Sequence, residues 1–177
     1  MQFHCGTLSA DMSGGKIHDF SGFTLSVCQL RPKSRGSIRA ASRDAARAPA
    51  IRPNYLSAEL DRRTAVAAIK LARSLTATRA VAPYVAEEKR PGPGVATDDE
   101  ILEFARQAGA TIFHPCGTCR MGSDARSVVD PALKVRGVER LRVADASIMP
   151  SLVSGNTHAS TVMIAEKAAD LIMQGAG

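Results

Sequence analysis

The segment FHPCGTCRMG, from Phe113 to Gly122, places His114 two residues before a Cys-x-x-Cys pair. Three kinds of chemistry use such residues: a thiol switch, half of a metal site, and a histidine on a turn that accepts or donates a proton. A neutral imidazole suits proton transfer near neutral pH because its unperturbed pKa is about 6.5. The segment by itself leaves these three interpretations open.

A second histidine, His158, follows the loop SGNT and begins a nearly all-apolar stretch. The pattern predicts a helix from about 158 to 173. The first N–H groups of a helix have no partner within it, so this helix start suits an anionic or electron-rich ligand. The alternative interpretation of His158 is a solvent-exposed residue at the beginning of a helix.

Periodicity and turn residues predict the elements that must position these histidines. Two strands lie within residues 1–30 and are joined by a turn-rich connection that contains Gly14-Gly15, and residues 37–40 form a further short strand. Ser57 is the predicted N-cap of a helix from about 58 to 79. The apolar stripe predicted for that helix consists of Leu60, Ala67, Leu71 and Leu75.

The remaining elements follow from capping and turn signals. The sequence TDDE at residues 97–100 predicts a capping box at the start of a short helix, and Gly109 is placed to end it. Residues 141–145 have the pattern of a short strand, and residues 148–150 that of a turn. A strand, a loop and the start of the last helix would therefore lie next to each other.

Composition limits the class of protein. A chain of 177 residues with 45% hydrophobic and 23% charged residues is expected to form one large or two small globular domains. The net charge of +6 is spread along the chain and aromatic residues make up only 4%, so we predict no nucleic-acid partner. No apolar run reaches the roughly 20 residues of a membrane helix, and the N-terminus lacks a signal-peptide core. We expect a cytoplasmic protein with reduced cysteines and find no indication of membrane association.

The last third of the chain resembles a known family. The motif HPCGTCRMG, followed by VVDPALKVRGVERLRVADASIMPSLVSGNTHASTVMIAEKAADLI, is similar to the C-terminal region of the glucose–methanol–choline (GMC) flavoprotein oxidoreductases. The choline dehydrogenase and alcohol dehydrogenase branch is the most similar. Upstream, FTLSVCQLRPKSRGSIRAAS and IRPNYLSAELDRR resemble the start of the same C-terminal domain, so that the similarity covers nearly the whole chain.

The resemblance implies an activity and a set of site residues. Family members oxidise alcohols by passing a hydride to N5 of FAD while a histidine takes the hydroxyl proton. His114 matches that base, and His158 matches the second active-site position, where relatives carry His or Asn. Asp145-Ala146 resembles the family's contact to the phosphate and ribityl region of the flavin. The resemblance also implies that Asn156-Thr157-His158 lies near the isoalloxazine ring, with a small alcohol such as choline or another primary alcohol as the substrate.

The Cys-x-x-Cys pair is interpreted as incidental. Relatives carry a small or apolar residue at the position of Cys116 and a cysteine at that of Cys119. A redox pair is expected at a helix N-terminus, whereas the neighbouring proline and glycines predict a tight turn. A structural zinc site needs four ligands, and only the distant His4 and Cys5 could complete one, so we predict no metal site.

The resemblance predicts an α+β fold in two parts. Residues 1–110 are expected to form part of the substrate-binding domain, an antiparallel sheet with packed helices. Residues 111–177 would carry the catalytic histidine loop and a strand–loop–helix piece of the FAD domain.

The family's N-terminal Rossmann-type half, with its G-x-G-x-x-G, has no match in this sequence. We therefore expect the C-terminal part of a longer enzyme that, alone, is inactive and does not retain FAD. Its partner would be the missing N-terminal FAD-binding half, and its exposed surface leaves association with a second copy open. The alternative function is a non-catalytic remnant or interaction module that has lost the flavin.

Overall fold

The computed structural model describes residues 1–10 and 16–175. The chain forms two compact units, one made of Met1–Gly36 with Pro53–Ile112 and the other of Ser37–Arg52 with Phe113–Gly177. The described residues contain two small antiparallel sheets and three α-helices, which confirms the predicted α+β class. None of these helices is long and apolar enough to span a membrane. The assignment of residues 1–110 to substrate binding and 111–177 to flavin binding stays a prediction.

A two-stranded sheet begins the first unit. Strand β1, Gln2–Gly6, pairs antiparallel with β2, Thr24–Cys28, in a register that places Phe3 opposite Val27. The two strands predicted within residues 1–30 are therefore confirmed. The predicted Gly14-Gly15 connection lies outside the described residues.

Helix α1, Glu59–Thr76, packs on β2, but with a different face from the one predicted. The predicted stripe is largely exposed, with Leu60 at 50% and Leu71 at 42% of full exposure. The buried side chains of α1 are instead Asp61, Val66 and Ala68. Burial follows from where β2 and the next helix lie, and apolar spacing within α1 alone does not specify that direction.

The start of α1 also corrects a prediction. Its N-cap is Ala58, which has no capping side chain, and not Ser57. The Ser57 hydroxyl accepts a hydrogen bond from the Asn54 amide, and the Ser57 carbonyl accepts one from Arg62 at 2.7 Å. The predicted cap was wrong because the serine is engaged in the preceding turn.

Helix α2, Asp98–Ala108, begins and ends as predicted. The Glu100 N–H donates to the Thr97 hydroxyl, and the Glu100 carboxylate accepts from the Thr97 N–H at 2.8 Å, which confirms the capping box. Gly109 ends the helix, and a Cβ at this position would lie 2.4 Å from the Ala105 carbonyl oxygen. Ile101 anchors α2 because its side chain is completely buried.

The second unit contains a short hairpin and the last helix. Strand β3, Ser37–Arg39, pairs antiparallel with β4, Ala50–Arg52, which confirms the strand predicted at residues 37–40. Helix α3, His158–Gln174, starts at the predicted residue. The hydrophobic core of this unit consists of Val129, Leu133, Ile148, Met149, Ile164 and Ala168.

The predicted strand at residues 141–145 is wrong. That segment makes only an isolated bridge, between Lys134 and Arg142, and is followed by a short 3₁₀ helix, Ala146–Ile148, which ends where the turn predicted at residues 148–150 begins. The Asp145 carboxylate starts this helix by accepting a hydrogen bond from the Ser147 N–H at 2.7 Å. A side-chain cap of this kind competes with continued strand pairing.

Candidate active site

His114 lies on a loop without regular structure and is half-buried. The preceding residue, Phe113, has a φ of 60°, in the left-handed region that bulky residues rarely adopt. The Nδ1 atom of His114 is buried and has no hydrogen-bond partner within the described residues. Buried polar atoms in proteins are nearly always paired, so this nitrogen marks a place where a further group is expected.

The loop after His114 is hydrogen-bonded to the segment that contains Ser147 and Ile148. The Cys119 N–H donates to the Ser147 carbonyl at 2.9 Å, and the Met121 N–H donates to the Ile148 carbonyl at 2.8 Å. Gly117 has a φ of 84°, and a Cβ there would lie 3.2 Å from the Met149 carbonyl oxygen. A glycine is therefore needed at this position both for the backbone angle and for the close approach.

These hydrogen bonds bring the His114 loop beside Asp145 and Ala146. The Asp145 side chain is exposed and caps the short 3₁₀ helix, and Ala146 is partly buried against the core. Cys116 and Met121, from the loop, pack on the same core. The structure thus places the predicted base and one predicted flavin contact in one packed arrangement.

Helix α3 belongs to the same arrangement because Ile148 and Ile164 share the core. Thr157 is buried, and its carbonyl accepts two hydrogen bonds of 2.9 Å from Thr161. The N-cap residue of α3, Thr157, makes no side-chain cap hydrogen bond, and the first turn contains no acidic residue. The N–H groups of that turn and the positive end of the helix dipole therefore suit an electron-rich group.

His158 is the first residue of α3 and is exposed, as is the neighbouring Asn156. The rings of His158 and His114 are not hydrogen-bonded to each other within the described residues. Both histidines lie in the second unit, and their action as a pair stays a prediction.

The two cysteines of the opening motif form no disulfide bond with any described residue. Cys116 packs against the core, and the chain turns at residues 118–119 instead of starting a helix. The dipole that activates thiols in redox Cys-x-x-Cys motifs is therefore not supplied here. Among the described residues, no three potential ligands of the His, Cys, Asp or Glu type cluster in a way that could hold a metal ion.

Sequence reasoning missed a polar network that follows the motif. The Arg120 guanidinium pairs with both carboxylate oxygens of Asp124, at 2.9 and 2.8 Å. Hydrogen bonding from Arg120 lowers the pKa of Asp124 to about 2, and the pair raises the pKa of Arg120. The signal available in the sequence was an arginine and an aspartate four residues apart, on either side of Gly122.

Two further residues complete this network. The buried Ser127 hydroxyl donates to the Gly122 carbonyl at 2.9 Å. The Arg136 guanidinium donates to the same carbonyl at 2.8 Å and to the Ser127 hydroxyl at 3.1 Å. Their spacing in the sequence carries no recognisable signal because the chain must first fold back from Ser127 to Arg136.

Comparison with known proteins identifies the family. A family model described as GMC oxidoreductase matches residues 32–165. The chain belongs to the GMC oxidoreductase family. This match covers most of the first unit after β2 and nearly all of the second, including both histidines.

Characterised members of the GMC family resemble the chain over almost its whole length. It is 48% identical over 174 residues to an alcohol dehydrogenase (acceptor) of Pseudomonas putida, which covers 98% of this chain and 32% of that protein. It is 44% identical over 172 residues to an oxygen-dependent choline dehydrogenase of Proteus mirabilis, covering 97% of this chain and 31% of that protein. The chain spans about a third of the length of these GMC relatives.

A solved GMC structure agrees with the fold. A formate oxidase of Aspergillus oryzae RIB40, studied for its FAD modification, superposes with a TM-score of 0.82 at 29% identity. The superposition covers 89% of this chain and 28% of the formate oxidase chain. GMC relatives of this chain are FAD flavoproteins and oxidoreductases that act on alcohols and choline.

Proposed function

We propose that this chain is the C-terminal catalytic part of an FAD-dependent GMC oxidoreductase that oxidises a small alcohol to an aldehyde. His114 is the base that takes the hydroxyl proton. The observation that carries this proposal is the buried, unpaired Nδ1 of His114, on a loop hydrogen-bonded beside Asp145 and packed on the core that α3 shares. Membership of the GMC family and the names of the alcohol and choline dehydrogenase relatives support it.

The residues of the second unit fit FAD. The N-cap residue Thr157 makes no side-chain cap hydrogen bond and the first turn of α3 has no acidic residue, so the N–H groups of this turn suit the electron-rich edge of a flavin. Thr157 and Asn156 immediately precede that turn, and Ala146, next to the exposed Asp145, packs against the same core. We assign these residues, with His158, to flavin binding. FAD, when bound, supplies the acceptor for the hydride that leaves the carbinol carbon.

The two histidines have different proposed roles, one in proton transfer and one in holding the substrate. His114 accepts the proton from the substrate hydroxyl as the carbon–oxygen double bond forms, and a positioned base of this kind contributes roughly 10²–10⁴-fold to the rate. His158, exposed at the start of α3, donates a hydrogen bond that holds the substrate oxygen. Loss of the hydride to FAD and of the proton to His114 converts a primary alcohol to an aldehyde. Choline and simpler primary alcohols are the substrate classes we propose.

The proposed partner is the N-terminal half of a complete enzyme, which would supply the glycine-rich βαβ unit for the adenosine diphosphate part of FAD. Apolar side chains that are exposed in the first unit support a protein partner. Leu60, Leu71 and Leu75 of α1 are 50%, 42% and 39% exposed. Such a surface is rarely left uncovered in a complete protein.

A chimeric enzyme tests the proposed function directly. This chain would replace the matching third of the Pseudomonas putida alcohol dehydrogenase, to which it is 48% identical. We expect the chimera to bind FAD and to reduce an artificial electron acceptor when alcohol is added, and we expect His114→Ala to abolish most of that turnover with FAD retained. The unaltered relative serves as the control for assembly. A chimera that binds FAD but turns over alcohol equally well with His114→Ala contradicts the assignment, and a well-folded chimera without flavin favours the non-catalytic remnant.

A further inference from the structure

The backbone segment from Cys119 to Gly122 is bonded on both of its edges. On one edge, the Cys119 and Met121 N–H groups donate to the carbonyls of Ser147 and Ile148. On the other edge, the Gly122 N–H donates to the Val129 carbonyl at 3.1 Å, and the Arg120 carbonyl accepts from Val128 at 2.9 Å. The segment is thus a fixed strand-like piece, and it is covalently continuous with His114.

The chain forms a loop between Gly122 and Val128 that returns it parallel to the Cys119–Gly122 segment, through a parallel bridge between Met121 and Val129, and side chains close this loop. Arg120 and Asp124 form a bidentate ion pair across it, and the Asp124 carboxylate also accepts from the Arg126 N–H at 2.9 Å. Two-pronged guanidinium–carboxylate bonds are directional, so they fix orientation as well as distance.

Gly122 makes room for this arrangement. A Cβ at Gly122 would lie 3.2 Å from Arg120 Nη1, from Asp124 Oδ2 and from the Ser127 Cβ. The Gly122 carbonyl, in turn, accepts from Ser127 and Arg136. Gly122, the last residue of the FHPCGTCRMG motif, is therefore the residue around which the side chains of the network pack.

We propose that Asp124 is a positioning residue for His114, acting through its ion pair with Arg120 and the 122–128 loop that Arg136 and Ser127 close. This inference rests on the proposed function, in which His114 is the base. The 122–128 loop holds the Cys119–Gly122 segment in register with Ser147 and Ile148, and that register places the loop on which His114 lies. A shift of about 1 Å in a catalytic group can lower a rate by roughly 10²-fold, so an anchor a few residues away affects turnover without touching substrate.

An ordinary role in stability predicts a different result. The side chains of Arg120 and Asp124 are 33% and 53% exposed, and exposed ion pairs contribute little to folding. If the pair served stability alone, its removal would alter the amount of folded, flavin-loaded enzyme but leave turnover per flavin unchanged. If it positions His114, turnover per flavin falls, and the fall depends on the presence of the His114 imidazole.

A double-mutant cycle in the chimeric enzyme separates these roles. The variants are Asp124→Ala, His114→Ala and the two combined, with Asp124→Asn as a substitute of equal shape should the alanine variant fold poorly. Asp124→Glu retains the charge and tests for rescue. The control is Glu103→Ala, which removes a comparably exposed ion pair with Arg106 on α2. Each variant is measured as kcat per bound flavin, KM and flavin content.

We expect Asp124→Ala to lower kcat about tenfold, with KM and flavin content near those of the unaltered chimera. Asp124→Glu should restore most of the rate, and Glu103→Ala should leave it unchanged. In the His114→Ala background, Asp124→Ala should cause no further loss of kcat, because the base that Asp124 positions is already absent. Equal losses in both backgrounds, or an unchanged kcat per flavin in Asp124→Ala, overturn the positioning role while leaving His114 as the base. Full activity of His114→Ala overturns the proposed function instead, and the positioning role with it.

Discussion

The backbone N–H of Cys119 donates a hydrogen bond of 2.9 Å to the carbonyl oxygen of Ser147. With the bond from the Met121 N–H to the Ile148 carbonyl, it joins the loop that carries His114 to the short helix that follows Asp145. Residues that the family resemblance assigns to base and flavin contact therefore share one packed structure, although the sequence separates them. The cysteine of the motif contributes its backbone to this bond, and its thiol is not needed for it.

The first prediction concerns the two histidines. In the chimeric enzyme, His114→Ala should lower turnover on alcohols by roughly 10²–10⁴-fold, because the positioned proton acceptor is lost. His158→Asn should be milder, since an amide still donates a hydrogen bond to the substrate oxygen. Steady-state kinetics with flavin occupancy measured for each variant gives the answer. A greater loss for His158→Asn than for His114→Ala would reverse the two roles.

The second prediction concerns the thiols. Cys116→Ala removes a side chain that packs on the core, so it should lower the melting temperature slightly and leave kcat per flavin unchanged. Cys119→Ala should have little effect on either, because the bond to Ser147 comes from the backbone. Kinetics and thermal unfolding of both variants and of the double variant test this. Loss of activity in the double variant, with His114→Ala still active, would favour the interpretation of the motif as a thiol switch.

The third prediction is that the purified 177-residue chain is colourless. FAD is held to a large extent through its pyrophosphate and adenosine, and the G-x-G-x-x-G unit that binds them has no match in the sequence. Absorbance spectra after gel filtration in the presence of FAD should show no stoichiometric flavin band. Retention of such a band would mean that the second unit holds much more of the site than we propose.

The fourth prediction uses the crowding around Gly122. A Cβ there would press on the Arg120–Asp124 pair, so Gly122→Ala should raise the pKa of the Asp124 carboxyl from about 2 toward its usual 3.8. Titration of the carboxyl signal by nuclear magnetic resonance measures this directly. Gly94→Ala is the matched control because no atom lies within 4 Å of the position that its Cβ would take, and it should leave the Asp124 signal unchanged.

The fifth prediction concerns the buried carboxylate of Asp61, which accepts hydrogen bonds from the Lys33 N–H at 2.9 Å and the Ser34 N–H at 2.6 Å. Burial raises the pKa of Asp61, but the hydrogen bonds from Ser34, Lys33 and Gln29 together lower it below 3.8. A lowered folded-state pKa stabilises the fold above the unfolded value, and that stabilisation is lost as the pH falls through the folded value.

Asp61→Asn should therefore lower the free energy of unfolding near neutral pH by about 1–3 kcal/mol, because buried N–H groups lose a charged acceptor. The difference between the variant and the unaltered chain should shrink as the pH falls below 3.8. Urea unfolding at several pH values measures both effects. A difference that stays constant down to the lowest pH would show that the carboxylate charge is not responsible.

Local interactions were predictable from the sequence. The capping box of Thr97 and Glu100, the end of α2 at Gly109 and the start of α3 at His158 all follow from residues within a few positions of one another. The family resemblance also follows from contiguous motifs, and with it the assignment of His114. Such features depend on short-range hydrogen bonds and backbone preferences, which the order of the residues specifies directly.

Only the tertiary structure decided which surfaces meet. Apolar spacing placed Leu60 and Leu71 on the buried face of α1, yet β2 and α2 pack on the side of Val66 and Ala68. The unpaired Nδ1 of His114 and the closure of the 122–128 loop by Arg136 likewise depend on chain segments brought together by folding. Burial and hydrogen-bond partners depend on the direction from which distant segments approach, and a linear pattern contains no measure of that direction.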